Sequence, residues 1–143
     1  MAKATILIVE DNPDISQPIA DAFRFAEFNT LQAYDAVHGL QLASEHRPDL
    51  ILMDIQLPDL DGLSVAATLK SDPAVKHIPI VAMTAYDVVG DQAKAISRHC
   101  AGHAQKPIRP RDLINLITAV LHLKSDPTPR RIAQAPVART PRK

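Results

Sequence analysis

Five short apolar runs alternate with five helix-like stretches along residues 1–124, and that order leaves few folds open. The runs are ATILIVE, TLQAY, PDLILMD, IPIVAMT and the brief HAQ. ATILIVE is β-branched and apolar on both faces, as a central parallel strand covered by helices on each side requires. The stretch ISQPIADAFRFAEF brings Ile15, Ile19, Ala22, Phe23 and Ala26 to helical spacing, with Asn12 and Pro13 ahead of it as cap and first-turn residues. AVHGLQLASEH, weakened by Gly39, GLSVAATLKS and DVVGDQAKAISRHC follow as further helices. RPRDLINLITAVLHLK is the clearest, with Leu113, Leu116, Ile117, Val120 and Leu121 on one face. Pro18 is the local flaw, because a proline inside a helix loses a hydrogen bond and clashes at a cost of about 3 kcal/mol. An irregularity is expected there. The alternation predicts one α/β sandwich built on a largely parallel sheet.

In a parallel sheet every strand's C-terminal end lies on one edge, where open α/β folds bind their ligands. The first run ends on Glu10 and Asp11, the third on Asp54 and the fourth on Thr84; Lys106 follows the fifth. Three carboxylates gathered there would raise one another's pKa. A hard divalent cation such as Mg²⁺, which prefers oxygen ligands, would relieve that repulsion. Lys106 adds a second positive charge and Thr84 a hydroxyl donor. The set suits a tetrahedral, multiply charged oxyanion carried on a carboxylate, that is, a phosphoryl group on Asp54. Asp54 would then be the nucleophile, Glu10 and Asp11 the metal ligands, and Lys106 and Thr84 the partners of the phosphoryl oxygens.

Composition removes several alternatives. A chain of 143 residues buries roughly two thirds of its unfolded surface without staples. The single cysteine, Cys100, excludes an intrachain disulfide and fits a reducing compartment. No run approaches the roughly 18 apolar residues of a membrane span, and the N-terminus lacks a signal-peptide pattern. A cytoplasmic location is expected. The net charge of zero hides an asymmetry: residues 125–143 carry five basic residues, one acid and four prolines. That segment reads as an extended, disordered Pro/Arg-rich tail after a domain spanning 1–124. So short a basic run is weak evidence for nucleic acid, and neither direct DNA binding nor membrane association is expected. Nucleotide-cradling glycine motifs are lacking. His99, Cys100 and His103 in HCAGH are too close in sequence, and have no second pair, for a complete tetrahedral zinc site. A hydrolase using the same carboxylates would need a cleft that excludes water, for which the chain has no spare segment.

The pieces ILIVEDN at 6–12, PDLILMDIQLPDLDG at 48–62, IPIVAMTA at 78–85 and KP at 106–107 together resemble the receiver domains of bacterial two-component response regulators, over essentially residues 4–123. MDIQLP and VAMTAY, with GD shortly after, are most similar to stand-alone regulators of cell-cycle and polarity phosphorelays. The resemblance implies a flavodoxin-like, CheY-like fold: five parallel strands in order 2-1-3-4-5, with five helices on both sides. It implies that Asp54 accepts a phosphoryl group from a histidine kinase or a histidine phosphotransfer protein. Mg²⁺ would be held by Glu10, Asp11, Asp54 and the backbone carbonyl of Gln56, while Thr84 and Lys106 would contact the phosphoryl group. Self-phosphorylation from small donors and autodephosphorylation are implied, rather than turnover as an enzyme. The bond preceding Pro107 is expected to be cis. Gln56 and Tyr86 flank the site and are candidates for tuning the phosphate's lifetime. Two positions depart from the family pattern. His103 stands where an aromatic switch residue is usual, and His99 where glycine often is. Both fall on the face of helix 4, strand 5 and helix 5, through which a downstream protein target is expected to bind. A receiver-like interaction module that binds partners without phosphate is the alternative.

Overall fold

The middle of the sheet is laid down by the most apolar runs. In the computed structural model, which describes residues 4–85, 90–124 and 133–134, β1 (Thr5–Val9), β3 (Leu50–Asp54) and β4 (Ile80–Thr84) are buried along nearly their whole length. β2 (Asn29–Ala33) is more polar and lies at an edge, and β5 (Gly102–Gln105) follows β4 on the other side. All pairings are parallel, in the order β2-β1-β3-β4-β5. A two-residue strand that the sequence did not predict, β6 (Ala133–Gln134), continues the sheet beyond β5. The rest of the tail and Tyr86 lie outside the described residues.

Strand alternation splits the core in two. On one face Ile6, Ile8, Leu52, Val81, Met83 and Ala104 meet α1 (Pro13–Phe25) and α5 (Pro110–Lys124) through Phe23, Leu113, Ile117 and Val120. On the other face Leu7, Val9, Ile51, Met53 and Ala82 meet α2 (Ala36–His46), α3 (Gly62–Ser71) and α4 (Gly90–His99) through Ala43, Val65, Leu69 and Ile96. Each fully buried aliphatic or aromatic side chain contributes about 1.5–3 kcal/mol. Gly39, which weakens α2 by propensity, has a packing reason: a Cβ there would lie 3.0 Å from a Val9 methyl. Shaving the helix lets it sit flush on the central strand.

The irregularity expected at Pro18 does not break the helix, since α1 runs unbroken from Pro13 to Phe25. Pro18 deprives only one carbonyl of its helical donor, that of Asp14, and both residues are exposed, so water can serve it. Asn12 caps this helix by accepting from the Asp14 amide at 2.9 Å, with Pro13 at the first position.

Strand order fixes where a site can form. From β1 the chain winds outward to β2, then returns to place β3 on β1's other side. The crevice at such a reversal, beyond the carboxyl ends of β1 and β3, is where this architecture takes ligands.

Candidate functional site

Each strand ending at that crevice delivers a polar side chain. Glu10 follows β1 directly; its amide donates to the Ala33 carbonyl at 3.0 Å, so β1–β2 pairing fixes its backbone. Its side chain is buried, and one oxygen accepts from the Asn12 amide at 3.1 Å. Asp11, next in the chain, is exposed. Asp54 is the last residue of β3 and only 2% exposed. Its Oδ1 accepts from the Gln56 amide at 2.9 Å, and its Oδ2 accepts from Lys106 Nζ at 2.9 Å. Thr84, fully buried, closes β4, and its carbonyl accepts from the Lys106 amide at 2.7 Å. The Lys106–Pro107 bond is cis, as the resemblance implied.

Lys106 does more than the sequence suggested. Its ammonium also lies 2.7 Å from Glu10 Oε1, so one cation bridges the acids of β1 and β3. Burial pushes the Glu10 carboxyl above its ordinary range, and the Asp54 charge adds to the rise, while Lys106 and the Asn12 amide pull it back. Burial alone would lower the pKa of Lys106, but its hydrogen bonds to Glu10 and Asp54, and their charges, hold it above the usual lysine value.

Glu10, Asp11 and Asp54 each present an oxygen, and these lie within 4.8 Å of one another. An all-oxygen donor set with one exposed, water-facing member fits a hard divalent ion that keeps several waters, as Mg²⁺ does. Gln56 is exposed and forms an isolated antiparallel bridge with Asp61, which folds the loop after β3 back on itself. Gly62 makes that fold possible. A Cβ there would stand 2.5 Å from the Asp54 carbonyl oxygen and 2.6 Å from Ile55 Cα. Asp59, also in this loop, accepts from the Ala36 and Val37 amides at 2.8 and 3.1 Å and so ties the loop to the start of α2. Neither Asp59 nor Gly62 stood out from spacing alone, although the DLDG turn signal marks their loop.

His103 sits on β5, half-buried, paired in register with Ala82 on one side and Gln134 on the other. His99 ends α4. Cys100 is buried and its thiol is pushed up to about 12 by desolvation, so it is protonated at neutral pH. An open apolar cleft of about 390 Å³ runs beside Lys106 and Pro107, walled by Ile15 and Pro18 of α1 and by Met83.

A parallel sheet in 2-1-3-4-5 order with buried acids at its reversal defines a class: the chain belongs to the response regulator receiver domain family, which matches residues 6–118. It is similar to the polar-differentiation response regulator DivK of Brucella anthropi, at 38% identity over 117 residues, covering 82% of this chain and 95% of that protein. DivK of Brucella ovis matches at the same identity and coverage. Among solved structures, a CheY-like response regulator receiver protein from Methanospirillum hungatei superposes with a TM-score of 0.81 at 23% identity, covering 90% of this chain and all of that one, and so shares the fold. The receiver domain of a sensor histidine kinase from Pseudomonas aeruginosa, solved with magnesium coordinated in its active site cleft, superposes with a TM-score of 0.77 at 28% identity, over 85% of this chain and 99% of that one. Among the described residues no helix is long and apolar enough to cross a membrane.

Proposed function

We propose that this receiver domain takes a phosphoryl group onto Asp54 from a phosphohistidine of a histidine kinase or histidine phosphotransfer protein, and signals by the protein contacts that follow. The observation that carries this reading is Asp54 itself. It is a buried carboxylate at the sheet's reversal, hydrogen-bonded to Lys106 and within ligand distance of Glu10 and Asp11. In the transfer, an Asp54 oxygen forms the new O–P bond as the N–P bond to the donor imidazole breaks. Mg²⁺, held by Glu10, Asp11, Asp54 and the Gln56 backbone carbonyl, would supply positive charge against the phosphoryl oxygens. Lys106 would exchange its contact with Asp54 Oδ2 for a phosphoryl oxygen, and Thr84 would donate its hydroxyl to another. The same site would also take a phosphoryl group from small donors and lose it again to water. Residues 1–124 act as the receiver unit, followed by the tail of 125–143, in the cytoplasm. A downstream protein would read the α4–β5–α5 face, with His103 as the switch residue. A phosphate-independent interaction module is the second reading, favoured by a histidine at that switch position.

The test is intact-mass measurement after incubation with acetyl phosphate and Mg²⁺. The protein should gain one phosphoryl group, and Asp54→Asn should fold and gain none. Phosphorylation of the variant at another residue rejects Asp54 as acceptor. No uptake by the unmodified protein, with donor and metal present, favours the phosphate-independent module.

A further inference from the structure

β5 would be the open edge of the sheet but for the chain's own C-terminal segment. The backbone of Ala133 and Gln134 pairs parallel with Gly102 and His103. An edge strand with no partner presents unpaired amides and carbonyls to any extended chain. β5, with the sequence GHAQ, carries none of the devices that discourage such pairing: no charge, no proline and no bulge. The tail has the complementary character. Ile132–Ala135 is an uncharged run bounded by Arg131 and by Pro136, and a proline cannot donate to a ladder. The described pairing is two residues long, and so short a ladder is marginal on its own. The connection is compatible in length. Helix α5 returns the chain toward the N-terminal ends of the strands, and eight residues, 125–132, separate it from the pairing run. Eight residues reach at most about 26–29 Å. The paired residues are the first two of β5, the end of that strand which such a tether meets first.

We propose that Ala133–Gln134 is an intramolecular cover on a strand-addition site. It occupies, in cis, the outer backbone groups of β5 beside His103, so that an extended segment of another protein can pair there only by displacing it. Main-chain pairing of this kind recognises an uncharged extended peptide rather than a particular side chain. His103 is the meeting point, since the same residue faces Ala82 on β4 and Gln134 on β6.

Amide hydrogen exchange of the full chain by NMR tests the cover. An Ala133→Pro/Gln134→Pro variant removes both tail amides, whereas Ala133→Ser/Gln134→Ser keeps them. In the proline variant the outward-facing amides of Gly102–Gln105 should exchange about tenfold faster, with β1 and β3 unchanged, and the serine variant should behave as the unmodified chain. Equal exchange in all three proteins overturns the proposal. Protection that vanishes on hundredfold dilution also overturns it, because the covering strand would then come from a second copy. A peptide spanning residues 129–137, added in trans, should shift β5 resonances of the proline variant and leave the unmodified chain unaffected. Shifts of equal size in both proteins, or in neither, show that the tail does not gate a strand-accepting edge.

Discussion

Lys106 Nζ stands 2.7 Å from Glu10 Oε1, closer than its 2.9 Å approach to Asp54. The ammonium therefore occupies the charge-balancing role among these acids that a divalent cation would share. A divalent cation bound by Glu10 and Asp54 would compete with the ammonium for their negative charge.

Replacing the lysine should separate two effects. Lys106→Ala removes the positive charge facing the acidic cluster, so Mg²⁺ should bind about tenfold more tightly, by about 1.4 kcal/mol. Without metal the variant leaves two buried carboxylates without their cation and should lose about 3 kcal/mol of stability. Saturating Mg²⁺ should return part of that loss, because it binds only the folded chain. Calorimetric titration and urea unfolding, with and without Mg²⁺, read both. Unchanged affinity would show that Lys106 does not oppose the metal.

Gly62→Ala should destabilise the domain by about 2 kcal/mol, within the range for forcing atoms into packed space. The obstacle is backbone, the Asp54 carbonyl and Ile55 Cα, and cannot rotate aside. The loop that folds back on Asp54 must shift, so the Gln56 amide resonance should move with the loss of stability. A fully stable Gly62→Ala protein would contradict the close approach.

Asp59 carries a pH-dependent tether. Its bond to the Ala36 amide is the main cause of its lowered carboxyl pKa. A lowered folded-state pKa stabilises above the unfolded value and is lost as pH falls through the folded one. Asp59→Ala should therefore lower Tm at neutral pH. The gap to the unmodified protein should narrow as pH falls below the ordinary aspartate value of 3.8. A gap independent of pH would assign the effect to packing instead.

Cys100 should be nearly inert to aromatic disulfide reagents in the native protein at pH 8. Its thiol is buried and pushed up to about 12, and only the thiolate reacts. Reaction should become fast in denaturant. Prompt native-state labelling would place the thiol at the surface.

The sequence made strand ends legible because acids or a hydroxyl directly follow apolar runs at Val9, Met53 and Met83. Side-chain reach was not legible. The span from Lys106 to Glu10 depends on how β1, β3 and β5 lie side by side, which no local pattern encodes. The same holds for Asp59, which crosses 23 positions in sequence to meet Ala36. Pro18 shows the reverse case, where local propensity pointed to an irregularity and α1 nevertheless runs on through it. β6 left no periodic signal, since two paired residues in a proline-rich segment look like any other tail.

The polarity of the sheet also sets where the gene can accept an inserted codon. One extra residue within Leu50–Met53 would swap the faces of every side chain beyond it and carry Asp54 away from Lys106. The same insertion between Pro73 and Ala74 falls in an exposed stretch on the far edge of the sheet, where α3 hands the chain to β4. A one-residue insertion should therefore be tolerated at the pole opposite the site and not in the strand that carries Asp54.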